Sequence, residues 1–170
     1  MNREIESILT ASEGRYLTKA EQSVFREWSA RLDARLAAID ELQSKEETIV
    51  RQTINDVFKA YPDFEKRMSG ARASCNRDLT LVLRYCGQAL LRQDSDYLED
   101  SLLSWMATIL RGVGFAPDFV RDTYRTLGKH VGRELSPANA ELLRPFIDQC
   151  VTSLASGQED TDKDKEKSGS

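Results

Sequence analysis

Apolar residues recur at intervals of three and four along nearly the whole of this chain, and no stretch alternates at every second residue as a half-buried strand would. That periodicity restricts the fold to packed helices. A short helix over about residues 2–11 ends before Gly14. The next opens at Thr18-Lys19-Ala20-Glu21, a capping box in which Thr18 and Glu21 reciprocally satisfy free N–H groups. Its stripe of Val24, Trp28, Leu32, Leu36, Ile39 and Leu42 gives one face for burial. A second long helix over about residues 45–60 carries Ile49, Ile54, Val57 and Phe58. It should stop near Tyr61-Pro62, because the residue before a proline is pushed out of helical geometry.

A helix over about residues 71–92 holds Leu79, Val82, Leu83, Cys86 and Leu90. Asp94 and Ser95 can cap the following one, whose apolar residues run from Leu98 to Leu110, and Gly112, Gly114 and Pro117 then break the chain. A further helix holds Phe119, Val120, Tyr124, Leu127 and Val131. Ser136-Pro137 opens the last, with serine capping and proline at the first helical position, and Cys150 on it reads as packing beside Ile147, Val151 and Leu154. From Ser156 onward there is no large apolar residue to offset the entropy of ordering. The expected organisation is one all-α domain over residues 1–155 and a disordered charged tail over 156–170.

A chain of 170 residues suits a single domain with a real core. The net charge of −4 offers no basic footprint for nucleic acid. The longest uncharged apolar stretch, Ser101 to Leu110, is too short to span a bilayer, so no transmembrane segment is expected. Three cysteines without paired spacing argue against a secreted disulfide framework. The single histidine, His130, excludes a multi-histidine metal site, and Gly112-Val113-Gly114 lacks the rest of a phosphate loop. Nothing supports a catalytic triad through His130. These features predict a cytoplasmic protein with no enzymatic chemistry, no catalytic residues and no metal.

One segment carries specific chemistry. Cys75-Asn76-Arg77-Asp78 lies inside the helix over 71–92, followed by Leu83-Arg84. Residues three apart share a helix face, so the sulfur of Cys75 lies beside the carboxylate of Asp78. Arg77 sits about 200° round and reaches the same ligand only by bending over the flank. Arg72, three residues before Cys75, is a second candidate to hold a ligand carboxylate bidentately. Cys86 follows Cys75 by close to three turns, on the same face and about 16 Å away, and reads as a small core residue.

The pattern Cys75-x-Arg77-Asp78-x4-Leu83-Arg84 resembles the bilin-attachment segment of the phycobiliproteins, the allophycocyanin and phycocyanin family. Gly14-Arg15-Tyr16-Leu17-Thr18, Ile49-Val50-Arg51-Gln52, Val57-Phe58, Tyr61-Pro62-Asp63, Asp94, Leu98-Glu99-Asp100 and Arg111…Gly114 resemble that family in order and spacing. The resemblance implies a globin-like helical body with an N-terminal helical pair that packs against a neighbour's. It implies a linear tetrapyrrole, a phycocyanobilin-like bilin, joined by a thioether to Cys75 with Asp78 accepting from its pyrrole N–H groups and Arg77 or Arg72 holding a propionate. It also implies partners: similar subunits or a second copy of the chain, and a bilin lyase. The implied place is the cytoplasm, or the thylakoid surface through a phycobilisome.

The chain also departs from the family. It is shorter by roughly five residues between Pro62 and Cys75, where a pocket loop lies in antenna subunits. The family's pocket tyrosines are replaced by Leu81 and Val82, its Glu-x-Tyr reads Thr108-x-Leu110, and Trp105 stands for a small residue. Ala11 occupies the position of an aspartate that pairs with the partner subunit. Two functions therefore stand: a light-harvesting bilin protein, and a non-antenna relative that binds, delivers or senses bilin or another tetrapyrrole such as haem, for which His130 would be the ligand.

Overall fold

Every regular element among the described residues is helical, as the spacing of apolar residues requires. The computed structural model describes the backbone of residues 2–167 and the side chains of residues 2–155. The order is α1 (Arg3–Ala11), α2 (Lys19–Ser29), α3 (Leu32–Ala60), α4 (Pro62–Arg67), α5 (Ala71–Arg92), α6 (Ser95–Leu98), a π-helical turn (Glu99–Leu103), α7 (Ser104–Val113), α8 (Pro117–Glu134) and α9 (Pro137–Lys167). Helices α3, α5, α8 and α9 form the globin-like body, with α7 against α9. Its core joins Ile49, Val50 and Val57 of α3, Leu79, Val82 and Leu83 of α5, Leu127 of α8, and Leu143 and Leu154 of α9. Helices α8 and α9 approach closely at Gly128, where an added Cβ would come 3.0 Å from a methyl group of Ile147.

The capping box at α2 forms as expected. Thr18 N donates to Glu21 Oε2 at 2.7 Å, and Glu21 N donates to Thr18 Oγ1 at 3.3 Å. Two bonds from Arg15, at 2.9 and 2.7 Å, complete the cluster. The bonds from Arg15 and Thr18 hold the Glu21 carboxyl down to about 2.

The junction between the two long helices is not where periodicity puts it. Nothing at residues 43–46 interrupts α3, which runs unbroken to Ala60, and the break falls at Ala30 and Arg31. The cause is Arg35, whose side chain is 1% exposed. Its Nη1 donates to Leu91 O at 2.8 Å, its Nε to Arg31 O at 3.3 Å and its Nη2 to Trp28 O. The Trp28 carbonyl that a continuous helix would bond internally is thereby taken by a side chain.

The N-terminal pair α1–α2 meets the body mainly through side-chain tethers. Arg3 bonds Asp96 at 3.3 Å and also Asp100, while the Trp28 indole donates to Arg92 O at 3.4 Å. Of the apolar stripe that starts at Val24, Trp28 and Leu32 are half-buried and Leu36 is exposed. The helix expected after Asp94 is a composite of α6, the π-turn and α7; it passes through Gly112 and ends at Gly114. Within the π-turn, Glu99 accepts from Ser104 Oγ at 3.2 Å and Ser153 Oγ at 2.7 Å. The backbone of α9 continues helically to Lys167, into the segment that composition placed in disorder. Residues 168–170 of that expectation lie outside the described residues. No helix among the described residues is long and apolar enough to cross a membrane.

Candidate functional site

Helix α5 starts at Gly70, whose φ of +78° lets the chain turn out of α4 in a conformation that a side chain would resist. Its first turns carry Arg72, Cys75, Arg77 and Asp78. Cys75 and Asp78 line one slot, as the three-residue spacing predicts, with Leu79 of the same helix, Leu110 of α7, Phe115, and Phe119 and Tyr124 of α8. The cavity there is about 30 Å³, room for about one water molecule. Burial pushes the Cys75 thiol up to about 11, and the neighbouring Asp78 charge adds to the shift. At neutral pH the sulfur is therefore protonated and a poor nucleophile.

Arg77 bends over the flank onto Asp78. Its Nε and Nη2 both lie 2.8 Å from Asp78 Oδ1, with the guanidinium largely in solvent. Arg72 goes elsewhere: its Nε donates to Glu65 Oε2 of α4 at 2.9 Å, and its guanidinium lies 4.6 Å from the centre of the Phe58 ring. Three of the four expected site residues thus converge, and the fourth is engaged on the adjoining helix. Arg84 is bound at 2.8 and 2.9 Å to Glu46 of α3, as a structural residue would be.

A stack of phenylalanines roofs the slot. Phe64 of α4 lies 4.1 Å from Phe119 and 5.3 Å from Phe115, centroid to centroid, with interplanar angles of 13° and 29°. Phe115 and Phe119 are 5.7 Å apart at 22°. On the far side of the same rings an open groove of about 460 Å³ runs past Tyr61, Pro62, Arg67 and Met68. Both ends of α4 are held, by Tyr61 Oη bonding Asp122 at 2.5 Å and by Glu65 bonding Arg72.

A model of the phycobilisome protein family matches residues 7–154, a span that contains the slot and the whole aromatic wall. The chain belongs to the phycobilisome protein family. It is similar to the allophycocyanin alpha chain 2 of Microchaete diplosiphon, 24% identical over 148 residues that cover 84% of this chain and 92% of that one. It is 25% identical over 124 residues to allophycocyanin subunit beta-18 of Synechocystis sp., covering 70% of this chain and 65% of the relative. Against the C-phycocyanin beta subunit of Arthrospira platensis the identity is 27% over 120 residues, covering 68% and 62%.

Within this phycobilisome-family body, several features of the site escaped the sequence. Tyr124 comes from α8 to the floor of the slot, fully buried, with its hydroxyl 3.6 Å from the Met106 sulfur, a weak acceptor. Helical periodicity marks Tyr124 only as core. Cys86 and Cys150 meet in the core with their sulfurs 3.7 Å apart, a contact between α5 and α9 that spacing alone cannot reveal. The ring wall joins residues 64, 115 and 119, and only tertiary packing brings them together.

His130 is buried between α8 and α3, with Nε2 2.9 Å from Asp56 Oδ2 and Nδ1 without a hydrogen-bond partner. It does not line the Cys75 slot, which removes it as a haem ligand there. Among the described residues no group of three or more histidine, cysteine or acidic side chains is placed to hold a metal.

Proposed function

We propose that this chain is a phycobilisome-type bilin-binding protein that carries a linear tetrapyrrole as a thioether on Cys75. The observation supporting this reading is the shared slot of Cys75 and Asp78, with the Arg77 guanidinium paired to Asp78, inside the span that matches the family. The donor set fits such a pigment: a thiol for the covalent anchor, a carboxylate for the pyrrole N–H groups and a guanidinium for a propionate. When bound, the bilin supplies the extended π-system that absorbs visible light. Cys75 Sγ would hold the pigment as a thioether, its S–H having added across the ethylidene double bond of ring A with nothing leaving. With the thiol pushed up to about 11, this addition needs assistance, which fits attachment by a bilin lyase. Asp78 then orients the pigment and favours its protonated form, each charge-assisted bond contributing roughly 1.5–3 kcal/mol when sheltered from water.

The role is light harvesting or energy transfer alongside similar subunits or a second copy, in the cytoplasm or at the thylakoid surface, without enzymatic turnover. A non-antenna role in holding, delivering or sensing bilin is the second reading, and the small slot of about 30 Å³ favours it. Co-expression with a bilin-synthesis pathway tests the proposal. A red absorption band and zinc-induced fluorescence of the denatured chain on a gel are expected; a colourless chain in the presence of both pigment and lyase would refute it.

A further inference from the structure

We infer that the outer face of α7 is a docking surface for a second copy of this chain, paired antiparallel about a twofold axis near Ile109. Trp105, Ile109 and Val113 are 44%, 52% and 49% exposed, and they supply three of the six large apolar side chains exposed among the described residues. Spaced by four, they form one ridge about 12 Å long. Ser104, Thr108 and Gly112, also spaced by four and exposed, form a row of small residues beside it. Nothing lies within 4 Å of a Cβ added at Gly112, so the row is open. None of the exposed residues of α7 is charged, although 31% of the chain is. Contiguous apolar surface of this kind marks an interaction site, where scattered apolar residues do not.

The polar side chains of this face are satisfied from within. Trp105 Nε1 donates to Ser101 O at 2.9 Å, Thr108 Oγ1 to Ser104 O at 3.1 Å and Ser104 Oγ to Glu99 Oε1 at 3.2 Å. Covering the face therefore strands none of these donors, and the indole is held along its own helix before any partner arrives. Shape and charge both fit a second copy. Each face offers a ridge and a row, so a twofold axis seats the ridge of each copy in the row of the other. Exposed Asp96 and Asp100, two carboxylates against the single guanidinium of Arg3, precede the start of α7, and Arg111 lies in its last turn. An antiparallel pair brings each acidic start toward the basic end of the other copy, whereas a parallel pair sets like against like. Trp105 of each copy then lies toward Val113 of the other, with both Ile109 side chains at the axis.

The test is sedimentation equilibrium of the full, pigment-free chain. Wild type should dimerise with a dissociation constant on the order of 10 µM, as a small interface gives. Ile109→Glu sets two carboxylates against each other at the axis. It should weaken association at least about a hundredfold, with helical circular dichroism retained because the side chain is exposed. Trp105→Ala should weaken it about thirtyfold, as loss of a central aromatic anchor does. Gly112→Leu separates seating from general stickiness: it adds apolar surface yet fills the row, so seating requires weaker association. Stronger association of Gly112→Leu overturns the ridge-and-row contact.

A wild-type chain that stays monomeric up to about 100 µM overturns the second copy as occupant. A dimer as tight in Ile109→Glu as in wild type overturns the face and moves the contact elsewhere, the N-terminal pair included. Cross-linking gives a second reading. In a Cys75→Ser background the remaining thiols, Cys86 and Cys150, are buried. Ile109→Cys in that background should close to a covalent dimer with oxidised glutathione, the two thiols losing two electrons and two protons as the reagent is reduced to two glutathione thiols. Leu36→Cys, exposed on α3, should stay monomeric under the same treatment. Cross-linking equal in both variants, or absent from Ile109→Cys, overturns the twofold pairing of α7.

Discussion

Cys75 and Cys86 are the same residue type on one face of one helix, three turns apart, yet they occupy opposite kinds of place. Cys75 is half-buried beside a carboxylate, in a slot lined by the rings of Phe115 in the turn before α8 and Phe119 of α8. Cys86 is shut among side chains of α3, α5 and α9, its sulfur against that of Cys150. One end of α5 borders a small slot, and the middle is closed in the core. Chemistry on a helix is thus assigned by what the other helices bring to each turn, and a motif read along one strand of sequence supplies only half of it.

The largest effect expected from this contrast is all-or-none. Cys75→Ser should abolish covalent pigment while helical circular dichroism is retained, and Cys86→Ser and Cys150→Ser should keep the adduct, read as zinc-induced fluorescence on a denaturing gel. Colour retained covalently in the Cys75 variant would erase the distinction between the two thiols. Stability should divide the helix in the opposite sense. Leu83→Ala, in the fully buried middle, should cost about 2–5 kcal/mol in denaturant unfolding. Arg77→Ala, at the open end, should cost at most about 0.5 kcal/mol, since its pair with Asp78 is screened by solvent.

What was legible before the structure follows the same division. Features written in local sequence appear as read: the capping box of Thr18 and Glu21, the bounds of α5, and the common face of Cys75 and Asp78. Those that depend on a distant partner do not. The break before α3 is set by a side chain that finds Leu91, far along the chain, and periodicity placed it in the wrong turn. Arg72 has donors suited to a ligand carboxylate, but sequence spacing could not show that Glu65 already holds it. The phenylalanine wall is invisible for the same reason: each ring reads as core on its own segment.

Two smaller effects sharpen the contrast. Asp78→Asn should leave the adduct in place, weaken the red band relative to the near-ultraviolet band and lower fluorescence, because the carboxylate favours the protonated pigment. The same variant without pigment should lower the Cys75 pKa, since one of the two causes of its elevation is removed, and alkylation rate against pH reads this directly. An unchanged spectrum and an unchanged pH profile would make Asp78 a bystander.

A further effect is on alkaline stability. The folded Cys75 thiol titrates at about 11 against an ordinary 9.0, so its contribution is whole below pH 9 and is lost as pH rises toward 11. Cys75→Ser should flatten that part of the stability profile measured by denaturant midpoints, and Cys75→Ser with wild-type pH dependence would show that the shift has no thermodynamic weight.

The buried Arg35 has a consequence for how the molecule assembles itself. No carboxylate meets its guanidinium in the hydrogen bonds described; its donors reach carbonyls of Trp28, Arg31 and Leu91. Those acceptors belong to the end of α2, the junction and the end of α5, and they stand together only when all three segments are in place. Until then water is the better partner, because a desolvated cation with a partial set of acceptors is costly. The seating of α2 against the end of α5 therefore completes the acceptor set of this guanidinium.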